Sequence, residues 1–208
     1  MANINMLQWN GRSVLANKGT LERYLFDKNI SICFLSETWF KRKMNIHFSG
    51  YNIYREDRHD GYGGVALLLK SSLAVSPTPL YHKINNVMTI SIAVRLPSGK
   101  TINLYSIYVK PGLSIAQNDW KNFFGSLKKP FLVGGDFNCH NVAWGCSTTD
   151  RLGKNLLEAI DECNLIYLNN GKETILSRPG SINKSAIDIT ISTADVAHLF
   201  DWTWMIRH

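Results

Sequence analysis

No stretch of the sequence approaches the roughly 18 to 20 consecutive apolar residues that a membrane span requires, although 45% of its 208 residues are hydrophobic. The opening residues, Met1-Ala2-Asn3-Ile4-Asn5, lack the basic and apolar regions of a secretory signal. An intracellular protein with no membrane association is therefore expected. Cysteine is scarce: Cys33, Cys139, Cys146 and Cys163 are scattered without a C-x-x-C pair. Cys33 lies in the apolar run Ile32-Cys33-Phe34-Leu35 and Cys163 on the apolar side of a predicted helix, so both are expected as buried, reduced thiols. Cys139, His140 and Cys146 form a conceivable zinc set, but their spacing matches no common module and a fourth ligand is not evident. Basic tails, low-complexity tracts, internal repeats and linker-like shifts of composition are absent too. One domain spanning 1–208 follows as the expectation.

Positive charge, by contrast, is plentiful. Lys and Arg number 23 against 16 Asp and Glu, which leaves a net charge of +7 and a pI near 9.3. Such an excess suits a polyanionic partner, with solubility alone as the plainer explanation. The basic residues are dispersed near predicted turns: Lys41, Arg42 and Lys43, Arg55 and Arg58, Lys110, Lys128 and Lys129, Arg178 and Lys184.

Apolar runs of strand length recur at 4–9, 30–35, 64–69, 87–96, 101–108, 130–134 and 186–191, several bounded by Gly, Pro or Asn. Pro97-Ser98-Gly99-Lys100 joins two of them and predicts a hairpin, so part of the sheet is antiparallel. Helical spacing appears at Leu21, Tyr24 and Leu25 behind Thr20 as N-cap. It appears again at Ile115, Trp120, Phe123, Phe124 and Leu127, and at Leu152, Leu156, Ala159, Ile160 and Cys163 behind Asp150. Nine or more strands with a few helices predict an α/β fold of two sheets packed face to face, with the helices outside.

Several apolar strands end by releasing one acid or amide into a turn. Asn10 follows Gln8-Trp9, Glu37 follows Leu35-Ser36, Tyr108 precedes Val109-Lys110-Pro111, and Asp136 and Asn138 follow Gly134-Gly135. Turn formation or surface exposure accounts for each one alone. Asp188 is different, because a carboxylate between isoleucines is costly to bury unless paired or metal-bound. Gathered at one rim, these residues supply the parts for metal-assisted phosphodiester hydrolysis. A hard cation such as Mg²⁺ needs only one or two carboxylates. A further acid can orient or deprotonate the attacking water. Gly134 and Gly135 are expected to let backbone and phosphate approach closely.

In this order the residues resemble the endonuclease/exonuclease/phosphatase superfamily. They are most similar to the apurinic-like endonuclease domain of non-LTR retrotransposons of the I, Jockey and R1-like groups. Seven collinear blocks carry the resemblance across nearly the whole chain: LQWNGRS, FLSETWF, GYGGVALLLK, NLYSIYVKPG, GGDFNCHN, WGCSTTDRLGKNLLEAI and SRPGSINKSAIDITI. The resemblance implies a four-layer α/β/β/α sandwich of two mixed sheets and a Mg²⁺-dependent DNA endonuclease, with Mn²⁺ as an alternative ion. Its nick would leave a 3′-hydroxyl to prime reverse transcription. It implies Glu37 and Asn10 as metal residues, Tyr108 at the scissile phosphate, and Asp136 and Asn138 at the water or leaving group and the transition state. Asp188 would orient a catalytic histidine. Thr174 is implied as a DNA contact, and Arg12, Arg55, Arg58, Lys110, Arg178 and Lys184 complete the expected DNA-facing set. The implied partners are DNA and a reverse transcriptase domain, with the protein monomeric and nuclear when it acts on genomic DNA.

Two departures stand out. The turn after Tyr108 has one proline, Pro111, where the family usually has two. The family's closing Ser-Asp-His block, which supplies the catalytic histidine on a further strand, is not found before His208. The last strand is therefore expected to be missing and activity to be weak. Cys139 and His140 are read as flanking or DNA-side residues. Two other readings stay open: a phosphoesterase of the same superfamily acting on a small phosphoester, and a DNA-binding remnant without catalysis.

Overall fold

In the computed structural model, which describes residues 4–174 and 185–200, the apolar runs become the strands of two stacked sheets. The first sheet contains β1 (Asn5–Asn10), β2 (Ile30–Ser36), β3 (Tyr51–Glu56) and β4 (Val65–Lys70) in the order β1-β2-β4-β3. The second contains β5 (Ala74–Pro77), β6 (Val87–Arg95), β7 (Thr101–Val109), β8 (Phe131–Asp136), β9 (Leu165–Tyr167) and β10 (Asp188–Thr193). Their order is β5-β6-β7-β8-β10-β9. Both sheets are mixed: β1 with β2 and β7 with β8 run parallel, and the remaining pairs run antiparallel.

Burial on both faces explains the near-continuous apolar strands. Ile32, Phe34, Leu67 and Leu69 of the first sheet meet Val94, Ile102, Leu104 and Leu132 of the second, and together they form the inter-sheet core. Helix α1 (Lys18–Asp27) covers the outer face of the first sheet through Leu21 and Leu25. Helices α2 (Gln117–Ser126) and α3 (Arg151–Glu162) cover the second through Trp120, Phe123, Phe124, Leu156 and Ile160. A short helix α4 (Ala194–Ala197) follows β10. The layers are thus α/β/β/α, as the resemblance implied. None of the helices among the described residues is long and apolar enough to cross a membrane.

The expected hairpin is present, with Arg95 opposite Thr101 and Gly99 at φ 84° in its turn. Asp150 caps α3 as expected, accepting a hydrogen bond from Gly153 N at 2.6 Å. Thr20, however, is the third residue of α1 rather than its cap. Asn17 precedes the helix and turns its amide back to the carbonyls of Gly11 and Ser13. The strands without a strong apolar signal, β3, β5 and β9, all lie at sheet edges. One of their flanks carries no partner strand, so half-exposed and polar residues are tolerated there.

Candidate active site

The two sheets meet at one rim where β1, β2, β7, β8 and β10 deliver their last or first residues. In the second sheet Asp136 lies between Tyr108 on β7 and Asp188 on β10, paired in register with both. In the first sheet Asn10 is paired with Ser36, one residue before Glu37. Asn10 joins the two halves: its Nδ2 donates to Glu37 Oε1 at 2.9 Å and to Asp136 Oδ2 at 2.7 Å. Its Oδ1 accepts from Arg12 N at 3.2 Å, so the orientation of the amide is fixed from both ends.

Asp136 is also held by the N–H of Asn138, which donates to Oδ1 at 2.8 Å. Asn138 directs its own amide to the carbonyl of Val109 at 2.8 Å. Between β1, β8 and β10, Gln8 donates to Gly135 O at 2.9 Å and accepts from Thr190 Oγ1 at 2.8 Å. Ser36 Oγ accepts from Asp136 N at 3.2 Å. Gln8, Ser36 and Thr190 were not singled out in the sequence. Their only signal there is a hydrogen-bonding side chain inside an apolar strand.

The backbone is strained at this rim. Eight non-glycine residues among those described have positive φ: Asn29, Asn86 and Asn164 at distant turns, and Arg12, Ser13, Glu37, Trp39 and Asn138 around the site. Asparagine tolerates that region, whereas each of the others costs on the order of 1–3 kcal/mol. Such strain concentrates where the surrounding structure must aim a side chain.

Negative charge accumulates at this rim. Neither Glu37 nor Asp136 takes part in an ion pair among the described residues. Burial raises the carboxyl of Asp136 well above the usual carboxylate range, and the charges of Asp188 and Glu37 push it further. The Tyr108 phenol is pushed up to about 12, chiefly by burial and then by Glu37 and Asp136, while Arg58 opposes the shift. Among the described residues no cluster of three or more His, Cys, Asp or Glu side chains forms a ready metal cage. The available donors are instead oxygen atoms, and one carboxylate with one amide is enough for a hard cation that keeps its waters.

Other expected residues are placed variously. Arg58 and Lys110 line the cleft in front of Glu37 and Tyr108, and Arg12 is exposed beside Asn10. Arg55 is engaged elsewhere, with its guanidinium on Met44 O at 2.8 Å, 3.4 Å from Asp57 and over the Phe40 ring. Thr174 Oγ1 accepts from Asp188 N at 3.2 Å and so anchors the entry to β10. Arg178, Lys184 and His208 lie outside the described residues.

Gly134 and Gly135 do not open space for a phosphate. A Cβ on Gly135 would lie 1.9 Å from Ile107 O, and one on Gly134 would lie 3.1 Å from both Gln8 and Phe34. Both glycines serve close packing. Cys139 is buried in the core, and Cys146 Sγ accepts from Ala186 N at 3.3 Å. Cys33 is fully buried, whereas Cys163 is only partly so. His140 bonds Asp150 at 3.0 Å through Nδ1 and lies 3.4 Å from Ser185 Oγ through Nε2.

A family model described as endonuclease-reverse transcriptase matches residues 102–208. The chain is 28% identical over 187 residues to an RNA-directed DNA polymerase from the mobile element jockey of Drosophila melanogaster, covering 88% of this chain and 20% of that protein. It therefore spans about a fifth of the length of that relative. Among solved structures, the endonuclease domain of the telomere-specific non-LTR retrotransposon TRAS1 superposes with a TM-score of 0.75 at 20% identity, covering 94% of this chain and 87% of that one. The Xenopus laevis APE2 catalytic domain does so with a TM-score of 0.68 at 16% identity, covering 92% and 83%. These superpositions establish the shared fold.

Proposed function

The chain belongs to the endonuclease-reverse transcriptase family, and on that footing we propose that it is a Mg²⁺-dependent DNA endonuclease that nicks one strand and leaves a 3′-hydroxyl. The observation that carries this reading is the Asn10 amide, which ties Glu37 and Asp136 together across the rims of both sheets. The net charge of +7 supports a polyanionic substrate, as does Lys110 in the cleft, where Arg58 is already paired with Asp60.

In this account Glu37, with Asn10 through its Oδ1, would hold the cation, for which Mn²⁺ could substitute. When bound, the cation supplies charge neutralisation for the phosphodiester and its leaving oxygen. Tyr108, whose phenol is pushed up to about 12 chiefly by burial, stays protonated at neutral pH and donates to a non-bridging phosphate oxygen. Water attacks phosphorus and loses a proton as the bond to the 3′-oxygen breaks. The 3′-oxygen gains a proton, and the 5′ side keeps the phosphate. Asp136, whose carboxyl retains a proton more readily than an exposed one, moves protons between water and leaving oxygen. The 3′-hydroxyl would prime RNA-directed DNA synthesis by a polymerase region of a longer protein, acting in the nucleus.

The test is to incubate supercoiled plasmid with the protein and Mg²⁺, then offer the product directly to a DNA polymerase. Open-circular DNA that is extended without prior phosphatase treatment is the expected result. Nicked ends that require 3′-phosphate removal, or nicking that persists unchanged in Glu37→Ala, would overturn the proposal.

A further inference from the structure

Trp39 and Tyr62 line the same cleft as Glu37 and Tyr108, and neither takes part in the steps above. Their rings meet edge to face, with centroids 5.5 Å apart and planes at 73°. Tyr62 is 65% exposed, far more than a tyrosine placed for packing requires. Its position is nevertheless well defined. Tyr62 N donates to Asp60 Oδ1 at 3.1 Å, Asp60 is paired with Arg58, and Trp39 N donates to Gly63 O at 2.8 Å. A Cβ on Gly63 would lie 3.0 Å from both Arg58 and Tyr108, so the loop bearing Tyr62 packs directly on the phosphate-facing tyrosine. Trp39 has a positive φ of 55°, a strained conformation for a bulky residue.

From this arrangement we infer that Tyr62, braced edge to face by Trp39, forms a stacking platform for one nucleobase next to the scissile phosphate. The inference rests on the nuclease reading above and deepens it by naming the form of DNA the cleft accepts. In a phosphodiester substrate the neighbouring group with a broad π-face is the base, and base–aromatic stacking is tolerant of sequence. Inside an intact duplex that face is already covered by adjacent pairs. The platform therefore selects a nucleotide that is unpaired or easily unstacked. Single strands, gaps and flexible pyrimidine–purine steps should be preferred over rigid duplex.

The experiment uses the full 208-residue chain in EDTA, where hydrolysis is suppressed, and a short single strand carrying 2-aminopurine. Wild type is expected to bind and quench the probe. Tyr62→Phe keeps the affinity within about twofold. Tyr62→Ala weakens it about five- to hundredfold and loses the quenching, while the slope of log affinity against log salt stays unchanged because no phosphate contact is removed. Equal binding by Tyr62→Ala, or equal losses in the Phe and Ala variants, would overturn the platform and leave the nuclease reading standing. Failure of wild type to bind DNA in any form would overturn that reading and the platform with it. Since Tyr62 is exposed, unchanged thermal unfolding of the Ala variant separates these outcomes from misfolding.

Discussion

Asn10 holds two carboxylates on a single amide, an arrangement that electrostatics alone would disfavour. Glu37 and Asp136 repel each other, and the amide hydrogens between them offset that repulsion only in part. Replacing Asn10 by Ala removes the shared donor and the order it imposes. Mg²⁺ affinity should fall about 10- to 100-fold, the usual effect of losing a group that orients a ligand. Titrating Mg²⁺ against thermal stability would measure it, and unchanged affinity would contradict the assignment. Tyr108→Phe removes a single hydroxyl from a buried phenol. If that hydroxyl donates to the phosphate, single-turnover nicking should slow about 10²- to 10³-fold with little loss of DNA affinity. Residues of this kind were legible in the sequence because a polar group ending an apolar strand is conspicuous. Gln8, Ser36 and Thr190 were not, since their role comes from partners more than 90 positions away. Arg55 shows the converse: a basic residue near a turn whose guanidinium is spent on Met44 and Phe40.

Among the elements, two helix glycines show what a sequence pattern leaves undetermined. Gly125 in α2 faces open space, whereas a Cβ on Gly153 in α3 would lie 2.0 Å from His140 O. Gly125→Ala should therefore stabilise the protein by about 0.5–1 kcal/mol. Gly153→Ala should destabilise it by about 1–3 kcal/mol, and Gly135→Ala likewise, by forcing packed backbones apart. Urea unfolding of the three variants would check the opposite signs. In sequence both helix glycines sit inside the same kind of periodic pattern, and only the tertiary neighbour distinguishes them. The central strands were legible from their apolar runs, since burial on both faces demands such runs. The edge strands β3, β5 and β9 were not, because edges impose no such demand. Residue type alone points to Thr20 as the start of α1, whereas the helix begins at Lys18, behind an Asn17 whose amide reaches back to Gly11 O.

For the molecule as a whole, two opposed charge distributions coexist. A chain of net charge +7 carries a rim where Glu37, Asp136 and Asp188 converge, which suits a polyanion drawn in together with a divalent cation. The metal-free protein should carry a cost of this convergence that depends on pH. Because burial raises Asp136 above its ordinary range, the folded protein holds that proton to higher pH than the unfolded chain does. Its stabilising contribution is therefore complete below the ordinary carboxylate range and is lost as pH rises through the raised value. In EDTA, Asp136→Asn should flatten this fall in thermal midpoint. Mg²⁺ should restore the stability of wild type at neutral pH but not that of Glu37→Gln. An identical pH slope in wild type and Asp136→Asn would count against the raised carboxyl.

The central claim, that the rim joined by Asn10 is a metal-dependent DNA-nicking centre, is tested most directly by conversion of supercoiled plasmid to open circle, comparing wild type with Glu37→Gln. The substitution keeps the acceptor for Asn10 and removes only the charge. Nicking that requires Mg²⁺ or Mn²⁺, stops with EDTA and is lost in Glu37→Gln is the predicted result. Nicking that proceeds equally in Glu37→Gln, or equally in EDTA, would contradict the account.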